Sequence, residues 1–175
     1  MNAYAAELNK AMLWLASKPD TLFLGQAVCY PGTAMFGTLN GVPPACRLEM
    51  PVAEDMQMGV SIGMSLAGYV PVSLFTRWNF LLLATNQLVN HLDKMPSTRY
   101  QTKVIIRTGV GSRHPMDPGP QHLGDFTHAF AAICETVEFI RLDEARMIAP
   151  AYERAFTRRD GRSTVLVEIS DKLND

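Results

Sequence analysis

Residues 49–72 read EMPVAEDMQMGVSIGMSLAGYVPV, and residues 75–95 read FTRWNFLLLATNQLVNHLDKM. In the first stretch Arg47–Pro51 leads into a helix starting near Glu54. The helix holds Gly59, Gly63 and Gly68 beside Ser61, Ser65 and Ala67. A glycine costs roughly 1 kcal/mol inside a helix, so this many small residues implies close approach to another backbone. Val70–Phe75 is an apolar run that reads as a buried strand, with Pro71 tolerable near its start. Trp78–Lys94 reads as one long helix.

Outward from this centre the pattern repeats. Residues 4–17 have apolar positions at helical spacing, and Lys18-Pro19-Asp20 ends them. Thr21–Leu24 is a short apolar strand closed by Gly25. Residues 26–46 hold Pro31, Gly32, Gly37, Gly41, Pro43 and Pro44 and form a long loop. Lys103–Arg107 is a strand, and 108–123 is a second loop rich in glycine and proline. Phe126–Ile133 and Glu144–Phe156 read as helices, Val137–Arg141 and Thr164–Ile169 as strands. Strands alternating with helices predict an α/β fold: a mostly parallel sheet with helices on both faces. Ligands in such folds sit at the carboxyl ends of strands, and both long loops follow strands.

Composition narrows the function. The 175 residues, 47% hydrophobic, suit a single domain, 1–175. A formal net charge of −1 with scattered charges predicts no nucleic-acid partner. No apolar run approaches the roughly 20 residues of a membrane span, and the first ten residues do not read as a signal peptide. Three cysteines without CxxC spacing read as reduced thiols of a cytoplasmic protein. The four histidines show no zinc-site spacing, so no metal site is expected from this chain alone. His91 and His128, in expected helices, read as structural. Met56, Met58 and Met64 read as core filler, or as an adaptable contact surface. GxGxxG, GxxxxGK[ST] and GxSxG are all missing, which removes the usual phosphate cradles and the nucleophile elbow.

The order of segments is similar to the pyrimidine-binding domain of thiamine diphosphate enzymes. That family includes transketolase, deoxyxylulose phosphate synthase and the beta chain of the first component of 2-oxo acid dehydrogenases. Its pattern is P-I-[SA]-E, a small-residue helix, G-x-x-P-[VI], an aromatic-rich stretch and a D-Q-x-x-N helix. Here the same order runs Pro51-Val52-Ala53-Glu54, Gly59, Gly63, Gly68-Tyr69-Val70-Pro71-Val72, Phe75, Trp78-Asn79-Phe80 and Asn86-Gln87-Leu88-Val89-Asn90. KVIIRTGVG and Gly119-Pro120-Gln121-His122 resemble a later strand and loop of the family. The resemblance covers roughly residues 20–170.

The resemblance implies roles. Thiamine diphosphate supplies a carbanion at C2 of its thiazolium, and the protein supplies orientation and electrostatics. Glu54 matches the family glutamate that bonds N1′ of the aminopyrimidine. On position alone it is an acid complementing a helix N-terminus. Phe80 falls where the family places a ring against the pyrimidine, or is a core residue. Thr76 lines the same pocket by its neighbourhood, and Trp78 belongs to the core or an interface. His122 matches the loop histidine on the substrate side, suited to donate to a carboxylate or alkoxide, or is a solvated loop residue. His114, in the same loop, has no family match.

Three departures shape the expected assembly. Where the family's first strand ends L-G-E-D, this chain reads Leu24-Gly25-Gln26-Ala27, and Asn86 replaces the aspartate of D-Q. The domain that follows in relatives is not expected here. The GDG signature and downstream asparagine that hold diphosphate and magnesium are missing. The expected function is therefore one subunit of a two-chain enzyme that decarboxylates a 2-oxo acid or transfers an acyl or ketol unit. A separate diphosphate-binding subunit would hold magnesium, with two copies of each chain. A catalytically silent regulatory subunit of the same fold is the competing reading, and a flavodoxin-like binding module is a third.

Overall fold

The computed structural model describes residues 2–111, 113–114 and 117–174. Helix α1 (Ala3–Ala16) is capped by Asn2, whose side-chain oxygen accepts from the Ala5 N–H at 2.8 Å. Strand β1 (Thr21–Gly25) follows, then a one-turn helix α2 (Ala34–Gly37), strand β2 (Arg47–Glu49), helix α3 (Glu54–Leu66) and strand β3 (Val70–Phe75). After the short helix α4 (Trp78–Leu81) come strand β4 (Ile105–Val110), helix α5 (Thr127–Ile133), strand β5 (Glu138–Leu142), helix α6 (Ala145–Thr157), strand β6 (Thr164–Ile169) and the terminal turn α7 (Asp171–Asn174).

Among the described residues the strands form one sheet, in the order β2-β1-β3-β4-β6-β5. Every pairing is parallel, so the expected mostly parallel sheet is wholly parallel. Side chains alternate across it as strand geometry requires. Phe23, Val72, Leu74, Ile105 and Leu166 face α1 and α6 in one core layer. Ile106, Val165 and Val167 face the other layer, with α3, α4 and α5. The strands at the centre are apolar on both faces because both faces are covered.

Two local expectations are corrected. Arg47–Glu49, expected only to lead into a helix, is an edge strand paired with β1. The single helix expected over Trp78–Lys94 changes winding along its length. After α4 it tightens to a 3-10 turn at Leu82–Ala84, widens to a π turn at Gln87–His91 and tightens again over Leu92–Ser97. Asp93 fixes its end. Its carboxylate accepts from the main-chain N–H groups of Glu135, Thr136 and Val137. Burial pushes the Asp93 carboxyl up, but these bonds and Lys94 outweigh it and hold the pKa at about 2.

A second polar group lies within the sheet layer facing α1 and α6. Arg107 on β4 grips Glu168 on β6 through Nε at 2.6 Å and Nη2 at 3.0 Å. Tyr152 of α6 donates to the same carboxylate at 2.8 Å, and Arg107 also reaches the Thr38 hydroxyl at 2.9 Å. Burial and the Glu168 charge push the Tyr152 hydroxyl up, so it stays protonated as a donor.

Candidate active site

The order of strands reverses between β1 and β3: β2 lies on one side of β1, and β3, β4 and the rest lie on the other. A crevice opens at the carboxyl end of such a switch point. Here a narrow cleft occupies it, lined by Gln26, Glu54, Gln57, Leu74, Phe75, Thr76 and Phe80. Three residues expected at a pyrimidine pocket, Glu54, Thr76 and Phe80, are therefore brought together.

Each wall has a local cause. Glu54 is the first residue of α3, where the helix dipole favours an anion, and it is only 5% exposed. Its Oε1 accepts from Gln26 Nε2 at 3.1 Å; among the described residues Oε2 has no hydrogen-bond partner. Gln57, one turn later, is fixed by donating to Ser73 Oγ at 3.0 Å and to the Leu74 carbonyl at 2.9 Å. Gly25 is required beneath it: with φ of +152°, a Cβ there would stand 2.5 Å from the Leu74 carbonyl oxygen.

The turn that aims Gln26 is held from β2. The Glu49 carboxylate accepts from the main-chain N–H groups of Ala27 at 2.6 Å, Val28 at 2.9 Å and Cys29 at 2.7 Å. Three charge-assisted bonds support Ala27 at φ of +54°, the only positive φ of a residue other than glycine among those described.

The segment after β3 links the cleft to the second loop. Thr76 and Phe80 face the cleft. Trp78 is fully buried, packs against Phe126, Phe130 and Phe139, and donates to Thr127 Oγ1 at 3.1 Å, so it is a core residue. Arg77 donates through Nη1 to the carbonyls of Gly111 at 2.9 Å and His122 at 3.0 Å. Asn79 accepts from the Gly124 N–H at 3.3 Å.

His122 closes the 3-10 turn Pro120–His122 and does not line the cleft itself. It packs on Phe80, with ring centroids 5.4 Å apart at 55°. Its Nδ1 is buried and has no hydrogen-bond partner among the described residues. His114 lies elsewhere, in an open depression with Gly111, Arg113, Leu123 and Asp171. His91 and His128, expected to be structural, are exposed. Gln26, Gln57 and Arg77 were not among the expected site residues. Only Gln26 carried a signal, as the departure from L-G-E-D.

Solved structures share this architecture. A split-gene transketolase, described as an inactive beta4 tetramer, superposes with a TM-score of 0.70 over 93% of this chain, at 18% identity. The fold is transketolase-type. The beta subunit of the pyruvate dehydrogenase E1 component from Gracilaria tenuistipitata var. liui is 36% identical over 69 residues, 37% of this chain. The chain spans 21% of that relative's length and 50% of the transketolase chain. No family model matches it. Among the described residues no group of three or more His, Cys, Asp and Glu is placed to hold a metal ion, and no helix is long and apolar enough to cross a membrane.

Proposed function

We propose that this chain supplies the pyrimidine half of a thiamine diphosphate site and works with a separate diphosphate-binding chain. One observation carries the reading. A buried glutamate with an unengaged oxygen faces a narrow cleft at the switch point, beside an aromatic ring. A flat aminopyrimidine with a nitrogen to bond at one edge fits that chemistry. When bound, the cofactor would supply a nucleophilic C2 carbanion and an electron sink for the charge that develops on the substrate's carbonyl carbon. Glu54 would hold the hydrogen bond to N1′, Phe80 would pack on the ring, and Thr76 would line it. His122, held behind Phe80, would act on the substrate side as a hydrogen-bond donor.

The reaction is the decarboxylation of a 2-oxo acid or the transfer of an acyl or ketol unit. Diphosphate and magnesium need oxygen ligands and clustered donors, which the partner chain would provide. The outer face of α3 suits assembly into two copies of each chain: Met56 and Leu66 are exposed there, and a Cβ on Gly63 would meet nothing within 4 Å. A catalytically silent subunit remains the second reading, favoured by the Gln26 amide already bonded to Glu54.

Reconstitution with a candidate diphosphate-binding chain, followed by size-exclusion chromatography with light scattering and a turnover assay, tests the proposal. Complex formation is expected, with Glu54→Ala lowering turnover by about two to four orders of magnitude. Near-normal turnover of Glu54→Ala would remove Glu54 from the mechanism. A stable monomer that turns over a 2-oxo acid unaided would overturn the two-chain reading.

A further inference from the structure

We propose that Arg77 is the positioning residue that sets His122 against Phe80. The inference rests on the reading of His122 as the substrate-side group. Arg77 leaves β3 immediately after Thr76, one residue past the cleft wall. Both Nη1 hydrogens are engaged, one on the Gly111 carbonyl just past β4 and one on the His122 carbonyl at the end of its turn. A single guanidinium nitrogen thus joins the two ends of the loop between Gly111 and His122.

The partners make the arrangement informative. Among the described residues Arg77 forms no ion pair, so its charge is directed at two main-chain oxygens. Bonds from a charged donor are shorter and stronger than neutral ones, and closing a loop costs entropy that some contact must offset. Gly111, with φ of +75°, turns the chain at the near end. At the far end, the same bond that holds His122 by its main chain leaves the imidazole against Phe80, with Nδ1 buried. Asn79 ties Gly124, two residues further on, so the cleft-facing Phe80 and the His122 turn are anchored by neighbouring positions of one segment.

Lysine cannot replace this geometry. Its ammonium ends one bond short of Nη1, so Arg77→Lys keeps the charge and loses the reach. The isolated chain tests the idea by NMR of the histidine ring protons, of which four sets exist. In the parent, the His122 ring protons are shifted by the Phe80 ring current, and Phe80→Leu identifies them. Arg77→Lys should move them toward the unshifted position. Trypsin cleavage after Arg113, which lies in the same loop and is exposed, should accelerate about tenfold in Arg77→Lys, as expected where local opening becomes easier. Should Arg77→Lys fail to fold by circular dichroism, Arg77→Met, which keeps the stem and loses every donor, is read in the same way. Unchanged His122 shifts and unchanged cleavage after Arg113 would overturn the proposal.

With a partner chain, Arg77→Lys should copy His122→Ala: slower turnover with cofactor affinity kept within about twofold, since both act away from the cleft that holds the pyrimidine. If His122→Ala keeps full turnover while the NMR and cleavage effects stand, the role given to His122 is wrong and the positioning by Arg77 holds.

Discussion

Among the described residues two glutamates are buried, and they live under opposite conditions. Glu168, inside the sheet layer beneath α1 and α6, is met by two nitrogens of Arg107 and the hydroxyl of Tyr152. Glu54, at the switch-point cleft, is met by one amide of Gln26. Burial without pairing is costly for a carboxylate. In Glu168 the cost is offset inside the chain and the side chain is architecture. In Glu54 it is offset only in part, by the helix N-terminus and one neutral donor, which leaves an acceptor for something outside the chain.

That contrast is broken if the two residues respond alike to removal. Glu168→Ala leaves the fully buried Arg107 charge without its partner and should cost about 3–5 kcal/mol, measured by urea denaturation. Glu54→Ala should change stability by less than about 1 kcal/mol, because little is left unpaired. Equal losses would mean that Glu54 is structural too.

Asp93 gives a third case, paired with three main-chain donors and also with Lys94 and the Thr136 hydroxyl. Its folded pKa, about 2, lies below the ordinary carboxylate value. The stabilisation is therefore complete above about pH 4 and is lost as the pH falls through about 2, amounting to about 2 kcal/mol. The difference in unfolding free energy between the parent and Asp93→Asn should shrink over that window. A constant difference from pH 5 to 2 would separate Asp93 from the Glu168 class.

A comparably small effect should come from Gln26→Ala. Water can replace the amide at a half-exposed position, so a loss of about 1 kcal/mol or less is expected. A larger loss would show that Glu54 depends on Gln26 as Glu168 depends on Arg107.

The sequence carried most of the architecture, because apolar runs of strand length alternated with helical spacing. It did not carry β2. With three residues and Leu48 exposed, that edge strand leaves no apolar signature. The breaks after Trp78 were hidden for another reason. Leu81, Ala84, Leu88 and Leu92 are all buried, at steps of three, four and four. A tight 3-10 turn and a wide π turn displace the apolar stripe in opposite directions, so the pattern still reads as one α-helix. In the site, Glu54, Thr76 and Phe80 were legible because they lie in two patterned segments. Arg77 was not, since its partners are carbonyl oxygens of residues 34 and 45 positions away, and any residue carries a carbonyl.

The wholly parallel sheet also sets a schedule for folding. Among the described residues no strand pairs with a neighbour through a hairpin, and each pairing needs a crossover, which slows the search for native contacts. β4 makes one of its two edges with β6, which is synthesised more than 50 residues later. Strand β6 covers that edge, gives β5 its partner and supplies Glu168. The buried ion pair also specifies register: a strand inserted out of register would bury Arg107 without its counter-charge.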